Sequence, residues 1–185
     1  MTRTRSWLPP LLVVVLAIVI LLAMGRPPIC TCGRVTLWVS SAASPETSQM
    51  LADWYSASHF IHGVLFFGLL WLVARRLPFV WRLCIAILIE ASWEIAENSP
   101  WIIDRYRSAT AAVGYSGDSV LNSTSDIAMM IVGFLLARRL PLWASVGIVV
   151  VLELIPLFVI RDNLTLNVIM LLHPIGAIKV WQAGG

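Results

Sequence analysis

Apolar residues fall in five runs, at Leu8–Met24, His59–Val73, Phe79–Glu97, Ser119–Leu136 and Leu142–Ile160, which read as membrane-spanning helices, the second of them short. Polar stretches rich in Pro, Ser, Thr, Gly and Arg separate them. A last run from Asn163 to Trp181 is almost long enough for a sixth span, but Pro174 interrupts it and Lys179-Val-Trp181 has the look of an interfacial end. That run is expected to form a broken, partly re-entrant or surface-lying helix.

The first run follows Arg3 and Arg5 and reads as a signal anchor or a cleavable leader, Ala23-Met-Gly25 having the small-x-small form of a cleavage site; it is taken here as an anchor. Residues 26–57 form a loop ending in Trp54 and Tyr55, which suit the headgroup level. Two short connections are identical, Ala74-Arg-Arg-Leu-Pro78 and Ala137-Arg-Arg-Leu-Pro141. Superposing them also lays Glu90 on Glu153, His59 on Asn122 and His62 on Ser125, which predicts an internal repeat of two helical hairpins in like orientation. The expected fold is all-α: a polytopic transmembrane helix bundle of about five spans. It comprises an anchor (1–25), a periplasmic loop (26–57), a two-hairpin, four-helix core (58–162) and a C-terminal segment (163–185), in one integral domain.

Composition agrees: 59% of residues are hydrophobic, 12% are charged and mean hydropathy is +0.85, as in an integral membrane protein. The net charge of +3 is scattered, which argues against nucleic acid as a partner. Its placement is informative. Arg3, Arg5, Arg75, Arg76, Arg82, Arg138 and Arg139 flank alternate ends of the runs, whereas Glu46, Asp53, Asp104, Asp118 and Asp162 occupy the opposite loops. The positive-inside bias then sets the N-terminus and both short Arg-rich turns of a multi-pass protein in the cytoplasm. Cys30 and Cys32 are placed to close a local disulfide or to ligate a metal, and Cys84 reads as a buried small hydrophobe.

Ionisable residues inside such runs need a partner, a proton or a metal, so they locate a site. Glu90, Glu94 and Glu97 share one helical stripe; Asp118, Asn122 and Asp126 form a second; His59 and His62 form a third. Glu90 lies deepest, roughly 18 Å beyond Pro78 at 1.5 Å per residue. The stripes are expected to converge in a wet cavity on the outer side. There His59, His62, Glu94, Asp118 and Asp126 are candidate catalytic groups, and Glu90, Glu97, Asn98, Arg105 and Asn122 are candidate binding groups. His59, His62, Glu94 and Asp126 form a ligand set for a divalent metal, although no His-Glu-x-x-His spacing is present. The competing reading is a satisfied polar network that fixes helix packing. Glu153 is expected to pair with an inward-facing donor.

Several motifs together resemble Uncharacterised Protein Family 0314 of small bacterial inner-membrane proteins. They are Cys30-Thr-Cys-Gly33, Asp53-Trp-Tyr-Ser56, Ser58-His-Phe-Ile-His-Gly63, Glu94-Ile-Ala-Glu-Asn98, Ile103-Asp-Arg-Tyr-Arg107, Gly117-Asp-Ser-Val-Leu-Asn-Ser123, Ser125-Asp126 and Arg161-Asp-Asn-Leu-Thr-Leu-Asn167. That resemblance implies inner-membrane location and no activity. The order Glu94, Arg105, Asp118, Asn122 has a looser likeness to VanZ-type membrane proteins, which points toward the cell envelope. Three functions remain open: a periplasm-facing pocket that binds or processes an envelope lipid or glycan, with or without a metal; an accessory subunit of a larger membrane complex; and a small transporter or proton conductor. Whether the chain is an enzyme is left open.

Overall fold

The computed structural model describes residues 7–110, 112 and 114–184; Arg3 and Arg5 lie outside them. Eight helices occupy the described residues, without a strand. They are α1 (Leu8–Ala23), α2 (Ser56–Val73), α3 (Phe79–Glu97), α4 (Pro100–Ala109), α5 (Val120–Ala137), α6 (Leu142–Ile160), α7 (Leu164–Leu172) and α8 (Gly176–Gln182). Three of them, α2, α5 and α6, are long and apolar enough to cross a membrane.

The two Arg-Arg-Leu-Pro connections both turn the chain, with different hydrogen bonds. The chain turns through hydrogen bonds from Leu77 N to Ala74 O and from Arg139 N to Leu136 O, and Pro78 and Pro141 enter the next helix with extended backbone. A proline there costs no intrahelical hydrogen bond and stops the preceding helix. Helices α2 and α5 run in the same direction in close contact: Ser56 meets Asp126 at one end and the Phe67 ring meets Phe134 near the other. The contact is tight because Gly63 faces the backbone of Met130 and Phe134 while Gly133 faces the carbonyl of Phe60. Around this pair α1 and α3 complete a core of Ala17, Leu83, Ala86, Ile87, Met130 and Phe134 with their neighbours.

The second hairpin packs unlike the first. Helix α3 buries Leu83, Ala86, Ile87, Glu90, Ala91 and Glu94, whereas α6 buries only Ser145 and Pro156 and exposes Leu142, Trp143, Phe158 and Val159. Glu153 therefore does not mirror Glu90. It is half-buried and its Oε2 accepts from Thr165 N at 3.2 Å, in the first turn of α7. Its donor is an exposed backbone amide rather than the inward-facing group expected, and the convergence expected of the repeat does not extend to it.

At the end of the bundle where α2 and α5 begin, residues 26–55 fold over it. Val120 N and Leu121 N donate to the carbonyls of Pro27 and Pro28, Ser119 Oγ donates to Gln49 O, and Gln49 Nε2 donates to Gly117 O. A Cys30–Cys32 disulfide lies in this cap. Since the C-terminal end of α1 meets the start of α5, the N-terminal end of α1 lies toward the two arginine corners.

The outer connection 98–117, expected to be a loop, holds α4 instead. Ser99 accepts from Ile102 N, Pro100 opens the first turn, and Ile102, Ile103 and Tyr106 bury one face, so three local signals agree. The C-terminal segment breaks as anticipated: α7 is nine residues long, His173 to Ile175 interrupt it, and α8 follows. The guanidinium of Arg105 caps α7 from outside, donating to Leu171 O at 2.8 Å and Leu172 O at 3.4 Å.

Asp162 ties this segment down. Its Oδ1 accepts from Asn163 N and Gln182 Nε2, and its Oδ2 accepts from the Tyr55 hydroxyl. Burial raises its pKa from 3.8 to about 6 despite those donors. The stability that its protonated form contributes is thus fully present below pH 3.8 and is lost as pH rises through about 6. Amide exchange in α7 is expected to slow between pH 7.5 and pH 5 once intrinsic rates are corrected, by an opening energy on the order of 2 kcal/mol. Asp162→Asn should flatten that dependence; an unchanged profile in the variant would remove Asp162 as its source.

Candidate functional site

Three helices aim ionisable side chains at one point. His59 on α2 is its hub: Nδ1 is 2.6 Å from Glu90 Oε1 and 3.3 Å from Glu94 Oε1, while Nε2 is 3.7 Å from Asp126 Oδ2. One turn along α2, Nδ1 of His62 lies 3.1 and 3.2 Å from the two oxygens of Glu90. The spacings explain the meeting: histidines three apart share a face, and so do glutamates four apart on the neighbouring helix. Glu90 and Glu94 are fully buried, His59 nearly so, and Asp126 accepts from Ser56 Oγ at 3.2 Å. Of the expected stripes, His59, His62, Glu90, Glu94 and Asp126 come together, whereas Asp118 and Asn122 are engaged elsewhere.

Within that cluster roles are distributed differently from the sequence expectation. Glu90, expected only as a deep binding group, is the partner of both imidazoles. Glu94 is next to His59 yet neither of its carboxylate oxygens has a hydrogen-bond donor. Two sets of side chains bring ligand atoms within 4.8 Å of one another: His59, His62 and Glu90, and His59, Glu94 and Glu97. Asp126 stands beside His59 but outside both sets.

Other expected site residues serve the surroundings. Asn122 Nδ2 donates to Met50 O at 2.9 Å, holding the cap on α5. Asn98 Nδ2 donates to Asp118 Oδ2 and to Glu94 O, and Asp118 N donates back to Asn98 Oδ1, which clips the start of α5 to the end of α3. Arg105 is brought to the end of α7 rather than to the cluster.

A cavity of about 250 Å³ opens beside the cluster. His59, His62 and Glu90 form its polar floor; Phe66, Ile89, Trp93, Leu164, Val168 and Leu171 form apolar walls from α2, α3 and α7. Two further spaces share lining residues with it: a neck-like one of about 40 Å³ between Tyr55, Tyr106, Tyr115 and Asn167, and one of about 290 Å³ lined by Ala42, Pro45, Ser48 and Tyr115 among others. Tyr55 lines all three spaces.

Sequence reasoning missed that neck. Tyr106 OH donates to Asn167 Oδ1 at 2.9 Å and Tyr115 OH donates to Asp118 Oδ1 at 3.0 Å. Burial pushes all three phenols above their usual range, reinforced by the carboxylates of Asp162 beside Tyr55, Glu97 beside Tyr106 and Asp118 beside Tyr115. They stay protonated and act as donors. Burial likewise raises Asp118, against the donors Tyr115 and Asn98. The signals present were Asn167 one turn beyond the helix-capping Asn163 and Tyr106 at helical spacing from Ile102 and Ile103.

Residues 21–184 match the family model described as Protein of unknown function (DUF2585). A UPF0314 protein of Paracoccus denitrificans is 56% identical over 181 residues, covering 98% of this chain and 94% of the relative. Those of Sphingopyxis alaskensis and Novosphingobium aromaticivorans are 54% identical over 181 residues and 56% over 173, covering 97% and 91% of this chain and 96% and 87% of the relatives. No solved structure matches.

Proposed function

Because this chain belongs to the UPF0314 family of unknown function, its activity has to be read from its own site, and we propose that it is an envelope protein of the inner membrane whose outward pocket receives an amphipathic molecule. In this reading α1 and α3 cross the bilayer with α2, α5 and α6, giving five crossings. The arginine corners face the cytoplasm with the N-terminus, and the His–carboxylate cluster faces the periplasm. Supporting it are the common side of both corners and the lipid-suited surfaces of α1 and α6, where Leu11, Leu12, Leu16, Leu142 and Phe158 are exposed. Helix α3 carries three glutamates, and burying Glu90 and Glu94 against α2 and α5 is what makes such a crossing tolerable.

One observation carries the functional reading: the cavity joins a polar floor to apolar walls. A headgroup able to hydrogen-bond His62 and Glu90 fits the floor, and a chain fits against Trp93, Val168 and Leu171. His59, His62 and Glu90 then serve as an acid–base set for a bound headgroup, with the tyrosine neck as the aqueous approach.

The test is what the protein retains through purification. Wild type is expected to keep a stoichiometric envelope amphiphile through detergent exchange, identified by extraction and mass spectrometry. Val168→Trp, which fills the cavity wall, should lose it while eluting as a folded species. If wild type instead carries only bulk phospholipid, in the proportions found on an unrelated membrane protein, the pocket has no such ligand.

A further inference from the structure

Carboxylates outnumber bases in the cluster: Glu90, Glu94, Glu97 and Asp126 stand with His59 and His62, and the Arg–carboxylate pairs among the described residues, Arg34 with Glu46 and Arg107 with Asp104, lie elsewhere. Glu94 is the least satisfied of them. It is 0% exposed, its two oxygens have no hydrogen-bond donor, and the neighbouring Nδ1 of His59 sits closer to Glu90. A buried carboxylate without a hydrogen-bond donor is among the costliest groups a fold can hold.

We propose that His59, Glu94 and Glu97 hold a divalent transition-metal cation. Their ligand atoms already lie within 4.8 Å of one another, a span that side-chain rotation closes onto one ion with ligand bonds of about 2.0–2.2 Å. A cation there gives the oxygens of Glu94 the partner that no hydrogen-bond donor supplies. An imidazole with two carboxylates is a donor set for zinc, manganese or ferrous iron rather than for calcium, which takes oxygen ligands alone. Glu90 then takes a supporting part: its 2.6 Å contact with Nδ1 orients the His59 ring. Glu97 is half-buried, so the seat is open toward the surface, which leaves a position for water or for an anionic headgroup. This inference stands on the cluster and does not require the amphiphile.

The full-length protein, purified in detergent and stripped with a chelator, is to be titrated calorimetrically with Zn²⁺ and, separately, with Mn²⁺. Wild type is expected to take up about one equivalent of at least one of them. Glu94→Gln should weaken that binding tenfold or more, and Glu97→Gln, at a half-exposed position that cannot compromise the core, should weaken it about tenfold as well. His62→Ala should leave it within about threefold of wild type, since His62 contacts Glu90 and is outside the His59, Glu94 and Glu97 set. The proposal is overturned if stripped wild type binds neither ion stoichiometrically, if Glu97→Gln binds as wild type does, or if His62→Ala loses as much as Glu97→Gln. Retention of an amphiphile is measured separately, so either reading can fail without the other.

Discussion

Gly133→Leu is expected to yield no folded protein in detergent, and Gly133→Ala to lose about 3 kcal/mol or more of stability. A Cβ built on Gly133 falls 2.1 Å from the carbonyl oxygen of Phe60, and one on Gly63 falls 2.0 Å from the carbonyl oxygen of Met130. Both obstacles are helical backbone, so no rotamer change relieves them and the helices themselves must separate by about 1 Å. Separation loosens the Phe67–Phe134 contact, and it also opens the gap across which Ser56 and His59 reach Asp126. Gly68→Ala is the control. On the same α2, a Cβ there meets nothing within 4 Å, and alanine favours a helix over glycine, so stability should hold or rise slightly. The measurement is the fraction surviving as a monodisperse peak after heating. Gly133→Ala surviving as well as Gly68→Ala would mean that α2 and α5 are not closely seated.

Neither glycine stood out in the sequence, and the reason separates what was legible from what was not. Element boundaries were legible because they rest on local chemistry. Proline with paired arginines ends α2 and α5 and starts α3 and α6 within a residue or two of expectation. Meeting of the polar stripes was legible too, since charge in an apolar run has few places to go. Which acid pairs with which imidazole was not, because depth along a helix says nothing about its rotation against its neighbours. So Glu90, deepest of the three, turned out to serve both His59 and His62, while Glu94 was left without a donor. The duties of Asn122 and Asn98 depend on a cap that returns from residues about 70 positions away and on the α3–α5 junction, contacts that no periodicity encodes. The same holds for Arg105, whose partner carbonyls at Leu171 and Leu172 lie 66 and 67 residues on. Arginine beside an outer helix looks the same in a sequence whether it meets a ligand or a helix end.

Replacing His59 by leucine should cost about 3 to 5 kcal/mol in protein stripped of metal, the range expected when one partner of a buried ionic set is removed. Leucine refills most of the space, so a cavity contributes little and the effect reports on charge. The imidazole is the shared partner of Glu90, Glu94 and Asp126, at 2.6, 3.3 and 3.7 Å. Without it, three carboxylates face one another in a water-poor site with His62 left to answer only Glu90. Glu90→Gln alone should cost less, because the amide oxygen still accepts from an imidazole N–H. The informative species is the double variant. Once His59 is gone, an ionised Glu90 is a liability, so His59→Leu with Glu90→Gln should be more stable than the sum of the single losses by about 1 to 3 kcal/mol. Equilibrium unfolding in mixed micelles with a denaturing detergent gives all four corners of that cycle. Additive losses would mean that His59 and Glu90 are neighbours without energetic coupling, and the cluster would then be a set of separate side chains rather than one ionic unit.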